Sequence, residues 1–329
     1  MFLGRGAHPN LLGFLRSVLP IAEVAALSRL NGQPTSFESA ILSRAMDNQA
    51  DARINQLVDN YQRALEQGSF QLSKGLPVNL MLTLDLHNIL FGQMGAEAGN
   101  FRETQLEPFN LLGVESATHI FTPPPVDFLK PALYSLDKFF RHPPSLPDLV
   151  IATLVYYQLV ALQPFEMGSG IMAGLIFSLM TSKQGGHDGA LLPLTPYIER
   201  NKEKLAKAFY EIMQNGDWAG WTGLFLDMIA DQSARLVDIT GRLDTLHHDY
   251  SKLLVAERAS NVLPQLLDEL FSLPAITVNR AARVCRVTFR AAQFNVEKLV
   301  SLGILAEHTG RRRNRVYVVP QLIELYGSI

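Results

Sequence analysis

The sequence predicts a mainly α-helical protein, a large helical bundle followed by a smaller domain of helices and a strand pair. Three observations predict it. Leu149 to Leu162 and Ile171 to Met180 are apolar around nearly their whole circumference, as helices buried at the centre of a bundle are. Leu224 to Lys252 holds a long amphipathic helical pattern without proline. From Val262 onward the order is helix, helix, helix, strand, turn, strand. At 329 residues and 47% hydrophobic content the chain is long enough for a large core and a second domain. The expected divisions are 1–75, an N-terminal helical region; 76–255, the helical core; and 256–329, the smaller domain.

Taken in chain order, Met1 to Ala7 does not lead into a signal-peptide pattern, and no segment reaches about 18 uncharged apolar residues. A cytoplasmic protein with no membrane association is expected. Leu82 to Leu90 reads as an amphipathic helix, with His87 as a satisfied helix residue rather than a ligand. Between the two central helices, Pro164 forbids a continuous helix, while Gly168 and Gly170 permit a tight turn at the start of the second. Such a turn is a plain corner or, through the N–H groups of Gly168, Ser169 and Gly170, a weak anion cradle. Asp217, Trp218 and Trp221 read as a helix cap followed by core aromatics.

The loop from Gln163 to Gly174 resembles the active-site loop of the Fic (filamentation induced by cAMP) family, His-Pro-Phe-x-Asp/Glu-Gly-Asn-Gly-Arg-x-x-Arg. Pro164, Phe165, Gly168 and Gly170 match. Gln163 stands for the histidine, Met167 for the acid, Ser169 for the asparagine, and Ile171 and Gly174 for the two arginines. The stretch Gly99 to Gln105 is similar to the family's Gly-x-Phe-Arg-x-x-Gln, and Ala117 to Pro125 to its flap hairpin. Tyr197 to Asn201, Gly216 to Trp221 and Phe225-Leu226 are similar to its later helices, so the resemblance covers roughly residues 10 to 235. Glu23 to Gly32 resembles the segment bearing the family's inhibitory motif, with Leu27 at the hydroxyl position and Asn31 at the glutamate. The family's glutamate pairs with the second loop arginine, here Gly174. The implied fold is a Fic-type helical bundle with a small β-hairpin flap.

In the family the histidine is the general base on a target hydroxyl, the acid holds magnesium, and the asparagine and arginines grip the ATP phosphates. A neutral amide at position 163 accepts no proton near pH 7, and loss of a positioned base costs about 10² to 10⁴ in rate. Each lost charge stabiliser costs on the order of 10² to 10³ more, without strict additivity. The Met167 thioether does not suit magnesium, and Glu166 is one residue early. No intact catalytic residue and no cofactor are therefore expected. ATP and magnesium enter only under the alternative, a protein adenylyltransferase with a non-standard site in which Glu166 or another residue replaces the base. A nucleotide-binding sensor lies between these readings.

The lone cysteine, Cys285, has no intrachain partner and reads as a buried small hydrophobe. His247 and His248 are adjacent on a helix and point too far apart to chelate one ion, and no metal site is expected.

Charge divides unevenly along the chain. Leu273 to Ile329 carries nine basic residues against three acids, leaving 20 basic and 28 acidic residues before it. Val262 to Phe271 reads as one helix, Thr277 caps a second to Val284, and Thr288 begins a third through Leu302, stopped by Gly303. Strands follow at Ile304-Leu305 and Val316 to Val319, around a turn from His308 to Asn314. This order resembles a winged helix-turn-helix domain, which Fic-family chains often carry. On DNA the helix from Thr288 would enter the major groove. Arg290 and Gln293 would lie near base edges and Arg311, Arg312, Arg313 and Arg315 on phosphate or minor groove, with Arg286 a further DNA-binding candidate. The other reading is a docking module for a protein partner or a homodimer, since basic patches also meet acidic protein faces. Leu253 to Asn261 is the expected hinge before this domain.

Overall fold

The structure is a computed structural model that describes residues 10–33, 35–46, 52–94, 97–114, 120–182, 192–256 and 262–329. In chain order the described elements are α1 (Leu11–Leu30), α2 (Phe37–Ala45), α3 (Ala52–Ser73), α4 (Leu80–Phe91), β1 (Phe109–Asn110), β2 (Ile120–Phe121), α5 (Val126–Arg141), α6 (Asp148–Leu162) and α7 (Ser169–Ser182). There follow α8 (Thr195–Arg200), α9 (Lys202–Asn215), α10 (Trp218–Ala256), α11 (Val262–Ser272), β3 (Ala275–Thr277), α12 (Val278–Val284), α13 (Phe289–Ser301), β4 (Ala306–Glu307), β5 (Val316–Val318) and α14 (Pro320–Gly327). The fold is all-α in character, with only two small sheets among the described residues. Helix α1 is long and apolar enough to cross a membrane by length and composition, and 72% of its most apolar 18-residue window is buried.

The chain forms two compact units that interleave along the sequence. One holds residues 26–34 and 56–233, the other residues 1–25, 35–55 and 234–329.

In the first unit, α6 and α7 form the centre. All of Ile171 to Leu179 is buried, because a segment apolar on every side has no face that water stabilises. A partly exposed stripe on α6 was not expected. Val150, Leu154 and Gln158 are half-buried at four-residue spacing. With Leu136 and Phe139 of α5 and Trp218 and Leu226 of α10 they line an apolar groove of about 1080 Å³. Elsewhere α10 closes the core: Tyr156, Phe177, Trp221 and Phe225 pack as an aromatic cluster, and the Trp221 indole donates to Thr153 O at 3.2 Å. Trp221 is buried and Trp218 is partly exposed, while Asp217 Oδ1 accepts from Gly220 N, capping α10. Strands β1 and β2 pair antiparallel, Phe109 opposite Phe121. Of the flap segment, Ala117 to His119 lie outside the described residues.

The second unit contains the C-terminal elements. Thr277 and Thr288 cap α12 and α13, their hydroxyls accepting from Arg280 N and Ala291 N. The sheet has the order β3-β5-β4, antiparallel throughout. The strand expected at Ile304-Leu305 begins two residues later. Gly303 turns left-handed at φ 71°, and the N–H groups of Ile304 and Leu305 bond back to Leu299 O, so both residues still belong to the end of α13. Strand β3 was not expected from sequence, since three residues are too few to display alternation. Of the expected hinge, residues 257–261 lie outside the described residues, and Leu253 to Ala256 continue α10. Cys285 is buried, and burial pushes its thiol pKa up.

Candidate functional site

The loop between α6 and α7 is held by hydrogen bonds that Arg102 and His87 direct at its backbone. Gln163 ends α6 in the left-handed conformation, φ 44°, which a non-glycine residue adopts only when its surroundings require it. Its side-chain Nε2 donates to Val160 O at 2.8 Å, so the amide folds back on its own helix end. Its carbonyl accepts from Arg102 Nε at 2.8 Å, and Pro164 O accepts from Arg102 N at 2.9 Å.

Arg102 is buried, and its fork reaches three backbone carbonyls: Gln163 O, Thr104 O at 3.0 Å and Pro124 O at 2.6 Å. Burial pulls the guanidinium pKa down from its ordinary value. The three carbonyls answer that cost, since hydrogen bonds from an ionised donor are stronger than neutral ones. Gln105 Nε2 adds a bond to Pro123 O at 3.1 Å. The stretch Gly99 to Gln105 thus ties the loop to the segment that follows β2.

On the other side His87 fixes the loop floor. Gly99 N donates to His87 Nδ1 at 3.0 Å, so the proton sits on Nε2, which donates to Met167 O at 3.0 Å. The ring lies flat on Phe165, centroids 3.8 Å apart and 8° from parallel. Burial lowers the imidazole pKa, and the bond to Met167 opposes that shift in part. Both ring nitrogens of His87 are thus bonded within the protein, and its partners were not legible from sequence.

The candidate anion-binding residues have different surroundings. Gly168 adopts φ 79°, and an added Cβ would lie closer than 3.0 Å to two Phe91 ring carbons. Ser169 is buried. Its hydroxyl accepts from Phe165 N at 3.1 Å and donates to Phe165 O at 3.3 Å, closing the turn on itself. Gly170 is exposed with open space around it. The N–H groups of Ser169, Gly170 and Ile171 make no hydrogen bond within the described residues, as a helix's first turn leaves them. Ile171 and Met172 are buried, while Met167 is 47% exposed and points away from the core. Glu166 accepts from Thr104 Oγ1 at 2.8 Å. At Gly174 an added Cβ would meet only Thr195 Oγ1, at 3.9 Å. Asn31 Nδ2 donates to Leu27 O at 2.9 Å, and Arg29 forks onto Glu199.

This donor set does not fit magnesium. Hard cations need several oxygen ligands, and the position expected to supply one holds an outward thioether. Among the described residues no group of three or more His, Cys, Asp or Glu side chains could hold a metal.

The candidate DNA-binding residues lie on the second unit. Arg286 forms the turn between α12 and α13, left-handed at φ 53°. Arg290 and Gln293 are exposed on the first two turns of α13, with Gln293 Nε2 donating to Glu297 Oε1 at 2.9 Å. Arg311, Arg312, Arg313 and Arg315 are exposed on the β4–β5 loop, where Arg315 Nε donates to Arg311 O. Glu307 accepts from Thr309 and Gly310 to close that loop. Arg286, Arg290, Arg312 and Arg313 have no side-chain partner among the described residues. Arg280 does: it pairs with Glu269 at 2.9 Å. His247, on α10, meets Asp268 of α11 at 2.8 Å, and His248 is exposed.

No family model and no curated protein matches the chain. Solved structures do. A Fic family protein from Desulfovibrio desulfuricans G20 aligns with a TM-score of 0.57 at 14% identity, over 97% of each chain. A Fic domain containing signaling protein from Bacteroides thetaiotaomicron aligns at 0.56 and 12% identity, over 70% of this chain and 90% of that one. Fic-1 from C. elegans aligns at 0.52 and 17% identity, over 70% of this chain and 65% of that one. At such identities the likeness establishes the fold.

Proposed function

From a Fic-type fold whose loop is tied down by backbone-directed contacts, we propose a cytoplasmic regulator that binds duplex DNA through a C-terminal winged helix and transfers no nucleotide. The observation that carries this reading is the set of unpartnered exposed arginines, Arg286, Arg290, Arg312 and Arg313, on the α12–α13 turn, on α13 and on the β4–β5 loop, among the described residues. Cations without a protein partner retain their full attraction for phosphate, which supplies most of the affinity of proteins for nucleic acid. Arg280, at the start of α12, is by contrast occupied, bonding Glu269. The acids beside the exposed arginines are themselves engaged, Glu297 with Gln293 and Glu307 with Thr309.

Absence of transfer is supported by the loop. The Gln163 amide is bonded to Val160 O, and Glu166, the candidate substitute base, is bonded to Thr104. The Gln163 amide has no basic site to take a proton, and the Glu166 carboxylate is already engaged by the Thr104 hydroxyl.

Two measurements test the proposal together. Purified protein with labelled ATP, magnesium and lysate leaves no protein labelled, and Gln163→His alone does not create labelling because the phosphate-gripping groups stay absent. Retention on duplex DNA weakens with salt, and each of Arg312→Ala and Arg313→Ala reduces the slope of log affinity against log salt by about 1. Labelling that disappears on Gln163→Ala, or DNA retention indifferent to salt, overturns it.

A further inference from the structure

The outer face of α13 carries two features that phosphate attraction does not explain. Phe289 is 53% exposed and Phe294 69% exposed, on the first two turns of the helix. They alternate with the polar residues: Phe289 is one turn from Gln293, and Arg290 one turn from Phe294. Single exposed apolar residues are ordinary, but two rings flanking the candidate base-reading side chains on one face call for a ligand with apolar surface there.

Gln293 is also oriented. One of its two amide protons goes to Glu297 Oε1 at 2.9 Å, leaving the other proton and the carbonyl oxygen for an outside partner. A remaining donor and acceptor on one planar amide match adenine, whose N7 accepts and whose N6 donates in the major groove. The thymine paired with that adenine presents its 5-methyl group in the same groove, the apolar surface that an aromatic side chain can cover.

Resting on the DNA reading above, we propose that α13 is specific for A·T pairs, with Gln293 on adenine, Phe289 and Phe294 against thymine 5-methyl groups, and Glu297 positioning the Gln293 amide. The occupant is DNA rather than an apolar protein face because exposed arginines lie beside both rings, Arg290 on the helix and Arg286 at the preceding turn. Methyl contact also discriminates DNA from duplexes that carry uracil.

The test uses the full chain and a randomised duplex library. Enriched duplexes are remade with deoxyuridine in place of thymidine, which removes only the methyl groups. The expected result is enrichment of sites containing A·T pairs and a loss of about fourfold in affinity for each methyl group that the protein desolvates. Phe294→Ala and Phe289→Ala, both at exposed positions, keep salt-dependent binding and lose the thymine–uracil difference, while Gln293→Ala loses the adenine preference. Equal affinity for thymine and uracil duplexes, with salt-dependent binding intact, overturns this inference and leaves the DNA reading standing. No enrichment of particular sequences, with salt-dependent retention intact, overturns this inference alone, and failure to retain any duplex overturns both. Loss of self-association in the phenylalanine variants, without an effect on DNA, marks the face as protein-docking and also overturns it.

Discussion

Replacement of Gly168 by alanine isolates what the turn before α7 demands. At φ 79° an L side chain incurs the left-handed penalty of ~1–2 kcal/mol. The added Cβ would also fall within 3.0 Å of Phe91 Cε2 and Cζ, and Phe91 is buried against His87, centroids 4.9 Å apart. Overpacking of that kind costs ~1–3 kcal/mol. Reduced freedom of the unfolded chain offsets ~0.4–1 kcal/mol, which leaves a net destabilisation of about 2–4 kcal/mol. Gly170→Ala is the control, because its Cβ meets nothing within 4 Å and its φ is not positive. It should stay within about 0.5 kcal/mol of the parent protein. Both tryptophans, Trp218 and Trp221, belong to the unit that contains the loop, so fluorescence during urea unfolding reports that unit. A double change with Phe91→Leu should recover part of the loss if the ring is the obstacle, as a coupling of about 0.5–3 kcal/mol. Equal urea midpoints for Gly168→Ala and Gly170→Ala would refute the reasoning, and the absence of coupling to Phe91 would assign the whole cost to backbone strain.

Arg102→Lys should destabilise the same unit by about 2–4 kcal/mol in the same assay, since one ammonium cannot reach the three carbonyls that the guanidinium fork satisfies; a midpoint unchanged from the parent would show that water replaces those bonds freely. For His87 the folded pKa lies below the ordinary value of 6.5 because burial disfavours the charged ring. The unfolded chain therefore binds the extra proton first, so this contribution to stability is fully present above pH 6.5 and is lost as pH falls from there through the folded pKa. His87→Gln should flatten that part of the stability-pH profile, and an unchanged acid limb would place its origin elsewhere.

Several elements were legible because their signals are local. The apolar circumference of α6 and α7, the break at Pro164, and the caps Thr277 and Thr288 each depend on residues within one or two turns of chain, and each appears where the pattern put it. The start of β4 was missed because Gly303 carries the chain back onto Leu299 before a strand can begin. The half-exposed stripe at Val150, Leu154 and Gln158 was missed for another reason. Hydrophobicity says that a helix can be buried, but only its neighbours decide whether every side is covered.

At the loop the division is clearest. Sequence alone determined which side chains stand there, hence that position 163 holds an amide and position 167 a thioether, because covalent identity fixes what a group can donate, accept or titrate. Tertiary structure decided which partners those groups meet. Gln163 faces its own helix end, Ser169 closes onto Phe165, and His87 and Arg102 hold the loop through carbonyls contributed by segments far apart in the chain. Hydrogen-bond partners are chosen by proximity in space, and sequence spacing fixes that proximity only across a few turns of helix.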